Sequence, residues 1–306
     1  MIVAAPGKAI LAGEYAVLHG APAIAVAVDR SVRAQAGRGD ATPFVVQAVR
    51  HAVRAGGAKL DVRVDSSALY EGSSKLGLGS SAAVTTAVVG LSFAKAGRDL
   101  ADRRALFDVA DEAHAEAQGT RGSGVDVACS VYGGALKFAR KGGGGRADIT
   151  PVELPDGVRL TFLWAGQPAS TAQLIGKVKA LAESSPAKHD AAIGRLLSQA
   201  HAFAAAVADD DAEALVRAAD AYGIAMGALG DAAGCAIVCK PHAQLAELAR
   251  RHGGAAKPSG AGGGDLGVAF TIGAEATAKL HADARAAGLT LLSLDAPAPG
   301  LRLESL

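Results

Sequence analysis

Residues 75–83 read Lys-Leu-Gly-Leu-Gly-Ser-Ser-Ala-Ala, and they restrict the folds open to this chain more than any other stretch. A polar lead-in, Glu71-Gly72-Ser73-Ser74, runs into two glycines, two serines and then an alanine- and valine-rich run. From Ala82 to Ala96 that run holds no proline and one glycine, Gly90, which predicts a helix. Ser80 and Ser81 stand where it begins and are expected to cap its free N–H groups. Gly77 and Gly79 let the backbone pass close to a ligand. A glycine loop feeding a helix N-terminus is a phosphate cradle, because N–H groups and helix dipole both favour an anion. A serine hydroxyl there can also ligate the magnesium that accompanies a nucleotide.

Other readings of these glycines can be tested on the sequence. They can simply make a turn and a cap. A Walker A loop needs Lys-Ser or Lys-Thr after its last glycine, whereas Gly79 is followed by Ser80-Ser81. Gly77-x-Gly79-x-x-Ala82 has dinucleotide-fingerprint spacing, and Asp99 or Asp102 stands about twenty residues on. The residues before Gly77 are polar, however, so no apolar strand abuts the turn.

Length and charge bound the rest. The 306 residues suggest two domains with ample core. With 31 Lys and Arg against 30 Asp and Glu, nothing favours bulk nucleic-acid or membrane-surface binding. Half the chain is hydrophobic but only 4% is aromatic, so its helices are expected to be small-faced. Cys129, Cys235 and Cys239 offer no disulfide framework and read as buried thiols. Met1-Ile-Val-Ala-Ala-Pro-Gly-Lys8 has no basic leader region, and no apolar run approaches the roughly 20 residues of a membrane span. A soluble, cytoplasmic protein is expected.

In order, Ile2–Ala5 is a short apolar run that Pro6-Gly7-Lys8 is expected to turn. Ala23–Val28 and the alternating Leu60–Asp65 read as strands, while Val45–Arg54 fits strand or helix equally. Ala101–Gln118 predicts a helix, with Leu106, Val109, Ala110 and Ala113 on one face. Glycines 119, 122 and 124 precede Asp126, which is either a helix cap or part of a site. Ala135–Phe138 is a strand candidate. The tract 141–146 and Pro151–Pro155 read as a linker, which puts the domain boundary between 153 and 154. Beyond it come a strand at Val158–Trp164, helices near 172–183, 189–207, 211–228 and 242–252, a strand at Leu266–Ile272, a helix at 274–287 and a strand at Leu289–Leu294. Four glycines among residues 260–264 exceed what a turn requires.

Three motifs thus stand in order: Ala5–Leu18 (Ala-Pro-Gly-Lys-Ala-Ile-Leu-Ala-Gly-Glu-Tyr-Ala-Val-Leu), Gly77–Ala83, and Lys257-Pro-Ser-Gly-Ala-Gly-Gly-Gly-Asp265. Together they resemble the GHMP kinase superfamily (galactokinase, homoserine kinase, mevalonate kinase and phosphomevalonate kinase). Ala113-His114, Ala117-Gln118-Gly119, Gly122-Ser-Gly-Val-Asp-Val127 and the 257–265 loop resemble the phosphomevalonate kinase branch. Val125 stands where that branch commonly has Phe, and Leu266 where it commonly has Cys.

The resemblance implies an α+β, two-domain GHMP kinase fold. Residues 1–153 would form an ATP-binding domain like domain 2 of ribosomal protein S5, and 154–306 a ferredoxin-like domain. It implies ATP and Mg²⁺ as cofactors and a small-molecule acceptor, 5-phosphomevalonate, with mevalonate or another small alcohol as the alternative. Lys8 and Asp126 carry over as the catalytic pair. Lys75, Gly77, Leu78, Gly79, Ser80, Ser81 and Ala82 would hold the ATP phosphates. Tyr15, His19, Ser123, Gly124, Ser259, Gly260, Ala261 and Gly262, with Lys8, would face the acceptor. Ser81 would ligate the metal; for its acidic partner the chain offers Glu112, Glu116 and Gln118, and Glu116 is taken here. Arg30, Arg121 and Lys137 are further cations close to the motifs. A non-catalytic sensor of the same fold is the competing class, and the intact set Lys8, Ser81, Asp126 and 260–264 favours the enzyme.

Overall fold

The computed structural model describes residues 1–39, 41–140 and 145–304. Strand β1 (Ile2–Ala12) opens the chain and runs straight through Pro6-Gly7, where a turn was expected. Gly7 is needed there for close approach: a Cβ would sit 2.9 Å from the Leu78 carbonyl oxygen. After a 3₁₀ turn at Ala16–His19 comes β2 (Ala23–Ala36). The ambiguous stretch resolves as helix α1 (Pro43–Arg54), because Thr42 accepts from the Val45 N–H and Pro43 suits the first turn. There follow β3 (Val62–Asp65), the two-residue hairpin strands β4 (Tyr70–Glu71) and β5 (Ser74–Lys75), and α2 (Ser80–Lys95). Next come α3 (Arg103–Gln118), capped by Asp102, α4 (Val125–Tyr132) and β6 (Ala135–Arg140).

Of the expected linker, 141–144 lies outside the described residues, and Pro151-Val152 closes a strand, β7 (Ala147–Val152), rather than a loop. Then follow β8 (Val158–Trp164), α5 (Thr171–Ser184), α6 (Pro186–Ala208), α7 (Ala212–Ala233), α8 (Lys240–Arg251), β9 (Ala255–Pro258), β10 (Leu266–Ile272), α9 (Gly273–Ala286), β11 (Thr290–Leu292) and β12 (Arg302–Glu304). Among the described residues, no helix is long and apolar enough to cross a membrane.

The chain divides into two compact units, and one cut at 153/154 does not separate them. Unit 1 comprises Met1–Lys8, Ala25–Leu136 and Asp295–Leu306; unit 2 comprises Ala9–Ile24 and Lys137–Leu294. The division is discontinuous because the chain crosses within β1, β2 and β6, and its C-terminal segment returns to pair with its first strand.

In unit 1 the strand order is β12-β1-β2-β6, with β3 also on β2. Ile2 pairs Glu304 and Arg33 pairs Asp65, both antiparallel. Helix α2 is buried nearly all round, from Ala82 through Phe93, and Gly90 lets Leu301 reach its backbone. Helices α1 and α3 pack against it. In unit 2 the four-stranded antiparallel order is β11-β8-β10-β9. Strands β8 and β10 pair over seven residues, from Leu266–Trp164 to Ile272–Val158. Leu163, Leu245, Leu248, Ala269 and Leu280 form a core between that sheet and helices α8 and α9. This is the α+β architecture expected.

Candidate functional site

In unit 1 the 75–83 stretch does what its glycines require. Gly77 and Gly79 take φ of 76° and 75°, the left-handed region open to glycine. Gly79, not a serine, is the N-cap residue of α2, and no side chain caps the helix. Ser80 and Ser81 are its first two residues, so their hydroxyls are free for other partners; the expected serine caps are not made. The loop's carbonyls face inward: the Leu78 oxygen accepts from the Lys8 N–H at 3.0 Å, and the Gly77 oxygen from Lys8 Nζ at 3.3 Å. The N–H groups of 77–82 donate to no loop or side-chain acceptor among the described residues. They form a row of donors at a helix N-terminus, which suits an anion.

Lys8 is 4% exposed, and its ammonium lies 3.7 Å from Asp126 Oδ1. Asp126 sits in the first turn of α4, after the left-handed Gly124, and does not cap the helix. A Cβ on Gly79 would lie 3.1 Å from Lys8 Cε and 3.6 Å from Asp126 Oδ2. The lysine, the carboxylate and the mouth of α2 are therefore in contact. Ser130 Oγ donates to the Pro6 carbonyl at 2.9 Å and ties α4 to β1 beside them. Ser123 Oγ accepts from the Val125 N–H at 3.4 Å, so Ser123 and Gly124 shape the turn that presents Asp126. Lys75 is exposed on β5, and exposed Arg121 is held by Asp111 at 3.1 Å.

Ser81 meets a histidine. His114 Nε2 lies 3.1 Å from Ser81 Oγ, and the imidazole stacks on Phe44 at 5.4 Å. Burial holds the His114 pKa below its ordinary value, which keeps the ring neutral near pH 7. Glu116 is not brought to Ser81. Arg50 and His51 of α1 take its carboxylate instead. Glu112 likewise lies toward His51, at 3.8 Å. Among the described residues, no cluster of three or more His, Cys, Asp or Glu could cage a metal. A phosphate-borne Mg²⁺ still fits, since that ion usually takes one or two protein ligands and keeps its waters.

Unit 2 holds the second loop, 257–265. Ser259 Oγ accepts from the Ile10 N–H at 2.8 Å, Gly260 N donates to Glu14 Oε1 at 3.3 Å, and Tyr15 OH donates to the Ala261 carbonyl at 2.6 Å. Gly263 N donates to the Ile237 carbonyl at 2.8 Å, and Gln167 Nε2 donates to the Gly263 oxygen at 3.0 Å. Pinned at both ends, the loop leaves the N–H groups of Ala261 and Gly262 without a protein acceptor among the described residues, a small anion nest. His19 is not drawn to this loop's bonds; it is exposed beside His189, with ring centroids 5.9 Å apart.

Two residues absent from the sequence-based site set hold this loop. Lys257, 1% exposed, ion-pairs with buried Glu14 and donates to the Pro258 carbonyl at 2.8 Å. Its ammonium lies 5.4 Å from the Tyr222 ring, and Tyr222 OH donates to the Glu14 carbonyl at 2.7 Å. So enclosed, Lys257 cannot face a substrate. The available signal was two opposite charges inside otherwise apolar or glycine-rich motifs.

Residues 43–134 match the GHMP kinases N terminal domain. The chain is 32% identical to phosphomevalonate kinase of Streptomyces sp. (strain CL190), over 89% of this chain and 90% of that one. It is also 32% identical to a mevalonate kinase of Archaeoglobus fulgidus, over 61% of this chain and 66% of that one. Its fold matches that of Streptococcus pneumoniae phosphomevalonate kinase, solved in complex with phosphomevalonate and AMPPNP, with a TM-score of 0.83 at 19% identity over 97% of this chain and 99% of that one.

Proposed function

The chain belongs to the GHMP kinase family, and from that premise we propose that it transfers the γ-phosphoryl group of ATP to 5-phosphomevalonate, giving 5-diphosphomevalonate and ADP. The observation that carries this reading is the Lys8–Asp126 pair set against the donor row at the mouth of α2. Likeness to a phosphomevalonate kinase over nine-tenths of both chains favours the phosphorylated acceptor.

In phosphoryl transfer a protein chiefly positions groups and neutralises charge. The N–H groups of 77–82 hold the ATP phosphates, and Lys75 adds an exposed cation beside them. Ser81 Oγ would be the protein ligand for Mg²⁺, and the ion would supply positive charge against the nucleotide phosphates. An oxygen of the acceptor phosphate attacks Pγ; the bond from Pγ to the ADP oxygen breaks, and ADP leaves with that electron pair. A phosphate monoester has its second pKa near 6, so at pH 7 it is mostly dianionic and has no proton to lose. Asp126 therefore chiefly orients Lys8, and Lys8 offsets repulsion between donor and acceptor phosphates. Within unit 2 the N–H groups of Ala261 and Gly262, presented by Tyr15 and Ser259, are a second group suited to an anion; within unit 1 Ser123 and Gly124 shape the turn under Asp126.

Phosphorus NMR of the reaction tests this directly. A diphosphate product gives two coupled signals besides those of ADP. A single new monoester signal, seen only with mevalonate, would move the acceptor to the alcohol and make Asp126 a base.

A further inference from the structure

We propose that His114 is a positioning residue for phosphoryl transfer: its Nε2 takes the Ser81 hydroxyl proton in a hydrogen bond and so turns the oxygen's lone pairs toward the nucleotide-borne cation. The proposal rests on the kinase reading above and assigns a role to a residue that reading does not use.

A serine hydroxyl has one proton and two lone pairs, and its rotor turns to suit its surroundings. Beside phosphate oxygens, the strongest acceptors present, an unguided hydroxyl points its proton at the phosphate. A hydroxyl that ligates a cation must instead offer a lone pair, so its proton needs another acceptor. His114 Nε2, 3.1 Å from Ser81 Oγ, is placed to be that acceptor in the tautomer that carries its proton on Nδ1. The neighbouring Ser80 hydroxyl has no such partner among the described residues, which separates the roles of the two serines.

The imidazole is itself held. It stacks on Phe44 at 5.4 Å with 29° between the planes, and Phe44 is fixed by its place in the first turn of α1. His114 sits in the last two turns of α3, whose end is set by the left-handed Gly119. Asp111, one turn earlier on α3, and Asp126 lie near enough to act on the ring electrostatically. Three elements thus converge on one hydroxyl, in the way that groups behind a metal's ligands orient those ligands.

The test is calorimetric binding of ADP at pH 8, with Mn²⁺ and separately with EDTA, to the native protein and to His114→Ala, His114→Asn, Ser81→Ala and the Ser81→Ala/His114→Ala double variant. Positioning predicts that His114→Ala weakens Mn²⁺·ADP binding by about tenfold while metal-free ADP binding stays within about twofold. His114→Asn, which keeps an acceptor, recovers part of the loss, and His114→Ala adds nothing in the Ser81→Ala background. Equal losses with and without metal, additive losses in the double variant, or no loss at all would overturn the proposal. Should His114→Ala not fold, the imidazole nitrogen signals of the native and Ser81→Ala proteins decide: Nε2 must shift when the hydroxyl is removed. If the native protein binds ADP in neither form, the kinase reading itself fails, and the two failures are distinct.

Discussion

Lys8 does two jobs with one ammonium: it ties down the 77–79 loop through the Gly77 carbonyl, and it stands beside Asp126. Lys8→Met removes both, and kcat/KM should fall by about 10²–10³-fold or more, the scale of losing a preorganised electrostatic group. Asp126→Asn should cost about tenfold with a dianionic acceptor, well below the roughly 10²–10⁴ of a true general base. Steady-state kinetics on the two variants tests that division; an Asp126→Asn protein as inactive as Lys8→Met would contradict it. Lys8 and Asp126 were legible in the sequence because each sits beside glycines that a core does not need. Glu14 and Lys257 were not, because each looks ordinary alone and they meet across 243 residues.

In the proposed reaction the start of α2 holds the ATP phosphates. Gly79→Ala places a Cβ 3.1 Å from Lys8 at a φ of 75°. The left-handed backbone alone costs about 1–2 kcal/mol. Because the added atom also moves Lys8, KM for ATP should rise along with a drop in Tm. A fall in Tm with ATP kinetics unchanged would place the phosphates elsewhere. The helix was legible from its apolar run; the cap was not, since Gly79 takes the N-cap position and leaves both serines inside the first turn. β10 was legible end to end because it is a nearly continuous apolar run bounded by turn residues, and β8 because Val158, Leu160 and Phe162 alternate with Arg159 and Thr161. β1 was misread at Pro6-Gly7, where the neighbouring loop, not local propensity, selects the residues. The three residues of β12 carry no periodic signal; their pairing with Ile2–Ala4 is decided by tertiary structure.

The whole molecule feels the buried charges of unit 2. Lys257→Met leaves Glu14 enclosed without its cation and should cost about 3–5 kcal/mol, whereas Lys257→Met/Glu14→Gln should recover much of that loss. Urea unfolding of both variants measures the difference. His242, 1% exposed, has its pKa lowered to about 4 by burial and then by the Lys257 charge. Between that value and the ordinary 6.5 the unfolded chain binds the extra proton, so His242 favours folding above pH 6.5 and loses that contribution as pH falls through 4. The change amounts to about 3 kcal/mol over that range. The urea midpoint of the native protein should fall more steeply from pH 7 to pH 4.5 than that of His242→Gln. Parallel slopes would mean that His242 is not the group responsible.

Phosphoryl transfer to a phosphate acceptor is the reaction proposed for this chain. It is tested most directly by ADP release from Mg·ATP, followed in parallel with 5-phosphomevalonate, mevalonate, galactose and homoserine. Turnover is expected with 5-phosphomevalonate, with a kcat/KM for mevalonate lower by at least about 10²-fold, since Lys8 would lack its charged partner. Equal or faster turnover with mevalonate would contradict it.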